Sequence, residues 1–251
     1  MCTRMLLFLG GYHENHSGNT QLWLASVVLI VASFCLFDRE NYLTLSASLV
    51  GATSLILNAK GNPLGQLLMI VFSILYGIIS LTFAYYGEMI TYLGMTAPMA
   101  VVALVSWLRH PFQGNRAQVR VNELKTWEFA FMAALTAIVT FAFYWILKAF
   151  HTANLIPSTI SVTTSFLAVY LTFRRSAYFA LAYAANDVVL IVLWSLATAT
   201  DVTYLSVVIC FFMFLVNDLY GFVNWKRMHA RQRQAAASGE PAQAAEQAPL
   251  R

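Results

Sequence analysis

Charged residues are scarce in this sequence. Only 10% of its 251 residues are Asp, Glu, Lys or Arg, whereas 59% are hydrophobic. A soluble domain carries about a quarter charged residues, so this composition excludes an ordinary soluble protein and predicts one that lies in a lipid bilayer. In such a protein, basic residues determine on which side of the membrane each loop lies. We therefore relate the net charge of +4 to orientation and expect no nucleic-acid partner.

Cysteine is also rare, and the common sequence motifs of enzymes are missing. The three cysteines, Cys2, Cys35 and Cys210, are too scattered for a disulfide framework or a CxxC metal site. The sequence has no GxxxxGK[ST] phosphate loop, no HExxH and no GxSxG. We therefore predict a protein that is not an enzyme and that needs neither a metal nor a cofactor.

Long hydrophobic runs, by contrast, fill most of the chain. A helix needs about 20 mostly apolar residues to cross a bilayer, and short polar breaks separate eight runs of roughly that length. The predicted spans are Gln21 to Phe37, Tyr42 to Ala59, Pro63 to Tyr86, Met89 to Leu108, Trp127 to Phe150, Ile156 to Phe173, Ala177 to Thr198 and Val202 to Trp225. The first is short and the least polar, which leaves open whether it belongs to the functional core.

The basic residues predict how the spans are oriented. With both termini in the cytoplasm, 13 of the 15 Lys and Arg residues lie on the cytoplasmic side, and only Arg39 and Lys148 lie outside. Cytoplasmic loops are typically enriched in this way. We accordingly predict a cytoplasmic N-terminus over 1–20, a basic cytoplasmic loop over 109–126 and a disordered cytoplasmic tail over 226–251.

An internal repeat relates the two halves of the chain. An offset of 118 residues pairs Tyr76 with Trp194, Tyr86 with Tyr204 and Trp107 with Trp225. Three spans over 42–108 thus match three spans over 156–225, and one span over 127–150 links them. Because the linking span is single, the repeats are parallel, related by an axis along the membrane normal. The sequence predicts an all-α polytopic membrane protein of two parallel three-helix bundles, one linking helix and an extra N-terminal helix over 21–37.

Polar residues within the spans predict a binding site between the bundles, because such groups are costly in hydrocarbon unless they meet a partner, a cavity or a substrate. The predicted lining residues are Gln66, Ser73, Tyr76, Asn186, Asp187, Trp194, Asn217, Tyr220, Gly221 and Asn224. Those of the last span recur at i, i+3, i+4 and i+7 and so share one helix face. Asp218 points about 100° away from Asn217, and for it a structural and a binding role stay open.

The residue types in this set favour one kind of ligand. Aromatic faces stack on a flat ring, above all a cationic one, while Asn, Gln and Asp bind hydroxyl and carboxamide groups. A purely structural role, as a polar clamp between helices, is the alternative for Asp187. Trp107 and Trp225 stand at span ends beside Arg109 and Lys226, where we expect them to be anchors at the membrane interface.

Long stretches of the sequence resemble a known family. The segments HTANLIPSTISV, FLVNDLYGFVNWKRM and GQLLMIVFSILYGIISLTFAYYGEMITYLGMTAPMAVVALVSWL resemble the PnuC nicotinamide riboside transporters over roughly Tyr42 to Met228. The resemblance implies a SWEET-like fold, uncoupled facilitated uptake, a homo-oligomer such as a trimer, and a cytosolic kinase that phosphorylates the riboside. Met99 and Ala100 stand where the repeat aligns Asn217 and Asp218, so we expect an asymmetric site.

The resulting hypothesis is a carrier for nicotinamide riboside in the bacterial inner membrane. In it Asp187 and Asn186 hold ribose hydroxyls, Trp194 and Tyr76 stack on the pyridinium ring, and Asn217 with Gln66 binds the carboxamide or ribose. Three alternatives stay open: a carrier of another vitamin such as thiamine, a carrier in which Asp187 or Glu88 binds a coupling proton or sodium ion, and a receptor or assembly subunit that transports nothing.

Overall fold

The computed structural model describes residues 2–82, 85–152 and 154–238, and within them the chain forms eight long helices. They are α1 (Cys2–Phe37), α2 (Tyr42–Ala59), α3 (Leu64–Thr82), α4 (Tyr86–Arg109), α5 (Thr126–Ala149), α6 (Leu155–Phe173), α7 (Phe179–Thr198) and α8 (Leu205–Ser238). A two-stranded antiparallel hairpin, β1 (Pro111–Phe112) and β2 (Asn115–Val119), follows α4. A 3-10 turn, Val202–Tyr204, precedes α8.

Each of these eight helices is long and apolar enough to cross a membrane, so the prediction of an all-α polytopic membrane protein is confirmed. Two predicted boundaries differ from the structure. The first helix begins at Cys2, so residues 2–20 continue the first span instead of forming a separate segment. The last helix continues to Ser238, so residues 226–238 are helical rather than disordered. The rest of the predicted tail, 239–251, lies outside the described residues.

Two bundles pack in equivalent ways. In the first, α3 packs against α2 and α4, and in the second, α7 packs against α6 and α8. Across the bundles, α2 contacts α8 and α4 contacts α6. These two contacts are equivalent, because the repeat relates α2 to α6 and α4 to α8. The linking helix α5 packs mainly on α6, and α1 packs on α2 and α8.

The fourth helix is not regular throughout. Its middle, Thr91–Thr96, is π-helical, and the amide of Ala97 bonds to the carbonyl of Tyr92. Pro98 follows at the start of the next α-helical part. Because proline has no amide hydrogen, the usual bond back to Gly94 is missing, and the turn widens. Widened turns of this kind are frequent at functional sites, and Tyr92 lies in this one.

Two reciprocal hydrogen bonds join the bundles, and we call them the tryptophan clasp. The indole Nε1 of Trp225 donates to the carbonyl of Asn58 at 2.7 Å, and that of Trp107 donates to the carbonyl of Thr172 at 2.9 Å. Each acceptor lies in the last turn of the first helix of the other bundle. Both indoles are fully buried, with ring centroids 5.3 Å apart, so the prediction that they anchor the membrane interface is wrong.

A second pair of bonds extends the clasp. Asn224 donates to the carbonyl of Ala59 at 2.6 Å, and Ser106 donates to the carbonyl of Phe173 at 3.1 Å. Carbonyls at a helix C-terminus have no partner within the helix, and here each bundle supplies donors to the other. The predicted binding residue Asn224 is therefore part of this structural contact.

The two first helices end alike. The amide of Gly61 bonds to the carbonyl of Asn58, and the amide of Arg175 bonds to the carbonyl of Thr172. Both residues have positive φ, 69° for Gly61 and 56° for Arg175, as helix-ending residues commonly do. Equivalent residues of α2 and α6, such as Gly61 and Arg175, are therefore 114 positions apart. Equivalent residues of α4 and α8 are 118 positions apart, as Trp107 and Trp225 of the tryptophan clasp show.

The hairpin and the end of α8 cover both of these helix ends. The amide of Val119 bonds to the carbonyl of Gly61, and the amide of Asn122 bonds to the carbonyl of Arg175. The side chain of Gln232 bonds to both the carbonyl of Val119 and the amide of Val121. These bonds explain why the chain beyond residue 226 is helical. We call this side, which carries most of the basic residues, the basic end.

We predict that the tryptophan clasp contributes measurably to stability. Trp225→Phe and Trp107→Phe each remove one buried donor, and we expect each to lower the free energy of unfolding by about 1–2 kcal/mol. Thermal unfolding of the detergent-purified protein measures the change. The control is Trp127→Phe, since Trp127 is 63% exposed; equal effects of all three substitutions would contradict a specific role for the clasp.

Candidate functional site

A small cavity lies between the two bundles, near the middle of the helices. Its lining residues are Gly51, Leu55, Met69, Phe72, Tyr92, Tyr183, Asn186, Asp187, Phe211, Phe214 and Asp218. The first bundle supplies mostly apolar and aromatic groups, whereas the second supplies both carboxyl groups and the amide. The polar side of the cavity is therefore asymmetric.

Two of the ten predicted site residues line this cavity. Asn186 and Asp187 lie side by side on α7, and both are buried. Tyr183, one turn earlier on the same helix, joins them. The polar face predicted for α7 thus points between the bundles at its middle.

The last helix turns a different face to the cavity from the one predicted. Phe211, Phe214 and Asp218 line it, at the spacing i, i+3 and i+7 that defines a single helix face. The four residues predicted from α8, Asn217, Tyr220, Gly221 and Asn224, are not among the lining residues. Between the two roles left open for Asp218, its position favours binding.

Contacts with neighbouring helices account for the predicted residues of α8. The amide nitrogen of Asn217 bonds to Ser26 of α1 at 2.9 Å. A Cβ added at Gly221 would lie 3.5 Å from that of Ala59, so this glycine allows α8 to pack closely against α2. Tyr220 is partly exposed at the outer surface of the helix.

The predicted residues of α3, together with Trp194, lie outside the cavity wall. Gln66 bonds to Asn58 at 2.8 Å near the basic end, and Ser73 bonds to the carbonyl of Met69 in its own helix. Tyr76 accepts a hydrogen bond of 2.7 Å from Trp194. Tyr76 also contacts Tyr92 of the cavity, with ring centroids 4.5 Å apart, so Tyr76 and Trp194 form a layer next to the wall.

The two carboxyl groups of the cavity form a pair. Asp187 and Asp218, each 4% exposed, lie close to each other in the cavity wall. Oδ2 of Asp187 is buried and has no hydrogen-bond partner. Among the described residues, no Lys, Arg or His forms an ion pair with either group. The pair is thus able to accept hydrogen bonds or a positive charge from a ligand.

Asn186 is held in place by hydroxyl groups of α6. Its Oδ1 accepts hydrogen bonds from Ser161 at 3.3 Å, Thr164 at 2.8 Å and Ser165 at 3.0 Å. With its oxygen so occupied, the amide nitrogen is the group left to meet a ligand or the nearby hydroxyl of Tyr92. The Ser and Thr residues of α6 therefore orient a cavity residue and do not themselves line the cavity.

The aromatic residues of the cavity were missed at the sequence level. Phe72, Tyr92, Phe211 and Phe214 resemble ordinary core residues, because aromatic residues at helical spacing are common in any apolar helix. One signal was available for Phe72, which lies one turn from the predicted Tyr76. The π-helical turn that directs Tyr92 inward had no such signal.

Two parallel three-helix bundles around a buried polar cavity define a membrane transporter with an internal duplication. A family model described as "Nicotinamide mononucleotide transporter" matches residues 41–227. The chain belongs to this family.

Two further comparisons agree with this membership. The "Nicotinamide riboside transporter PnuC" of Neisseria mucosa is 26% identical over 218 residues, which covers 84% of this chain and 81% of that protein. A solved structure, "Crystal structure of the Vitamin B3 transporter PnuC", superposes with a TM-score of 0.75 at 22% identity, covering 85% of this chain and 92% of the other. This likeness confirms the fold.

We predict that Asn186 stabilises the packing of α7 on α6. Asn186→Ala removes the acceptor that the buried hydroxyls of Ser161 and Ser165 share, and we expect it to lower the free energy of unfolding by about 2–3 kcal/mol. Ser73→Ala is the matched control, because this buried hydroxyl bonds only within its own helix and its loss should cost under about 1 kcal/mol. Thermal unfolding compares the two, and equal losses would argue against the bridging role.

Proposed function

We propose that the protein transports nicotinamide riboside by facilitated diffusion, through alternating access to the cavity between its bundles. The observation that carries the proposal is the charge of the cavity wall: two carboxyl groups, five aromatic side chains and one amide, with no Lys, Arg or His among its described lining residues. A flat cation attached to a sugar meets both needs, since aromatic faces attract cations and carboxyl groups accept hydrogen bonds from hydroxyls.

The same charge favours the riboside over the mononucleotide for which the family is named. A phosphate group carries about −1.5 to −2 charges at neutral pH, and in this cavity it would face Asp187 and Asp218 without a basic partner. Phosphate sites normally offer Arg, Lys or a helix N-terminus. The name of the Neisseria mucosa relative supports the unphosphorylated substrate.

The residues take the following roles in this proposal. Asp187 and Asp218 bind the ribose hydroxyls and balance the ring charge, and the amide of Asn186 binds the carboxamide oxygen. The rings of Phe72 and Tyr92 flank the pyridinium. Tyr76 and Trp194, predicted to stack on the substrate, instead support Tyr92 from the adjacent layer.

Transport requires the two bundles to rock about the cavity. The tryptophan clasp, the hairpin and the end of α8 hold the basic end together, so this end is closed. We place the basic end in the cytoplasm of a bacterial inner membrane, since basic residues are retained on that side. A cytosolic kinase that phosphorylates the riboside then keeps the product inside the cell.

Three alternatives differ from this proposal in measurable ways. A thiamine carrier would use the same acidic and aromatic wall for another flat cation. An ion-coupled carrier would use the protonatable pair Asp187 and Asp218, or Glu88, to bind a proton or sodium ion. A receptor without transport activity would show binding but no flux.

Uptake into proteoliposomes tests the proposal. We expect labelled nicotinamide riboside to equilibrate across the membrane, with the same final level after ionophores collapse the proton and sodium gradients. An excess of unlabelled riboside should compete, whereas nicotinamide mononucleotide should not. Thiamine flux without riboside flux would overturn the substrate, and accumulation that depends on an ion gradient would overturn the facilitated mechanism.

We also predict that a single methyl group closes the cavity. A Cβ at Gly51 would lie 2.4 Å from Cζ of Phe214 and 3.0 Å from Cδ2 of Phe72, so Gly51→Ala pushes both rings into the space for substrate. We expect riboside affinity to fall by about tenfold or more, since overpacking commonly costs 1–3 kcal/mol.

Gly94→Ala is the matched control for this substitution, because a Cβ there would lie 3.8 Å from its nearest neighbour in Ile90. Calorimetric titration of the purified variants with the riboside measures both affinities. Unchanged affinity in Gly51→Ala, with the protein still folded, would show that substrate binds elsewhere.

A further inference from the structure

A third buried carboxyl group, that of Glu88, lies between the bundles outside the cavity. Glu88 belongs to the first turns of α4, near the end opposite the basic end, and is 1% exposed. It faces α6, where Ser161 lies beside it. One turn further along α4, Tyr92 lines the cavity, so Glu88 is separated from the proposed substrate site by a single turn of helix.

Glu88 lacks the partners that a buried carboxylate normally has. Neither of its oxygens has a hydrogen-bond partner of ordinary geometry, and the hydroxyl of the neighbouring Ser161 donates to Asn186. No Lys, Arg or His within the described part of the chain forms an ion pair with it. An isolated buried charge is strongly unfavourable, so this position is not explained by stability.

Three tyrosines lie near the carboxyl group. They are Tyr76, Tyr85 and Tyr92, and the ring of Tyr85 packs edge-on against that of Trp194 at 5.0 Å between centroids. A buried carboxylate near aromatic rings suits an organic cation, because negative charge and ring faces both attract a cation. The repeat places Ser206 at the equivalent position of α8, so only the first bundle carries this charge.

We propose that Glu88 forms a second subsite, in which the positively charged ring of the substrate is held before it passes Tyr92 into the cavity. The inference rests on the proposed function, since it assumes a cationic riboside. In the described structure the contact between α4 and α6 is closed around Glu88. Opening of this contact, as the bundles rock, exposes the carboxylate to the incoming cation.

The mouth of this route is also acidic. Asp38, Asp201 and Tyr204 lie near one another at this end of the helices, and Tyr204 lies near Tyr85. Acidic groups at an entrance raise the local concentration of a cation but are screened by salt. Salt screens the buried carboxylate of Glu88 much less than it screens these entrance groups. The salt dependence of transport therefore distinguishes Glu88 from them.

The test compares a cationic and an uncharged form of one substrate. Nicotinamide riboside carries a positive ring, whereas its 1,4-dihydro form has nearly the same shape and no charge. In counterflow with proteoliposomes, we expect Glu88→Gln to raise the half-saturating concentration of the cation by about tenfold, with that of the dihydro form changed by less than about twofold. Glu88→Asp, which keeps the charge, should retain most of the preference for the cation.

Asp201→Asn is the matched control, because it removes an exposed carboxylate at the same end. Asp201→Asn should raise the half-saturating concentration of the cation only slightly, and this effect should vanish at high salt. The effect of Glu88→Gln should persist at high salt. If Glu88→Gln does not fold, Glu88→Met, which fills the same volume without a polar group, replaces it. The subsite would be overturned if Glu88→Gln changed the half-saturating concentrations of both substrate forms equally, or changed neither. It would also be overturned if the only effect of Glu88→Gln were the loss of proton-driven accumulation. Wild-type protein that carries neither form would instead overturn the proposed function.

Discussion

The tryptophan clasp is the contact on which the architecture depends. Two helices, α2 and α6, end inside the protein, and their last carbonyls bond to side chains of the other bundle. Trp225 and Trp107 add a second donor to the carbonyls of Asn58 and Thr172, which also accept from backbone amides. A contact of this kind holds the two bundles together at the basic end.

Buried acidity is the second constraint, and it points to what the protein binds. Asp187, Asp218 and Glu88 are all buried within the helices, and the described residues provide no basic side chain to balance them. Charge in such surroundings is retained where function requires it. A cationic ring, as in the proposed substrate, would balance this charge, and aromatic side chains line the cavity beside Asp187 and Asp218.

Much of the fold could be predicted from the sequence, but the facing of individual helices could not. Hydrophobic length predicts the eight spans, and the repeat predicts the pairing of Trp107 with Trp225. The polar pattern of α8 allows two different helix faces to point at the cavity, since Asn217 and Asp218 lie about 100° apart around the helix axis. Which of them faces the cavity is decided by α1, whose Ser26 bonds to Asn217, and no local pattern in α8 carries that information.

This role of α1 answers whether the first span belongs to the functional core. One amide hydrogen of Asn217 bonds within its own helix, and without α1 the other would face lipid, where an unsatisfied polar group costs several kcal/mol. Ser26 accepts this second hydrogen, and Trp23 of α1 donates to the hydroxyl of Thr53 at 3.2 Å. By holding Asn217 outward, α1 fixes the rotation of α8 and so keeps the adjacent Asp218 in the cavity. The extra helix is therefore part of the wall that positions the site, although none of its described residues lines the cavity.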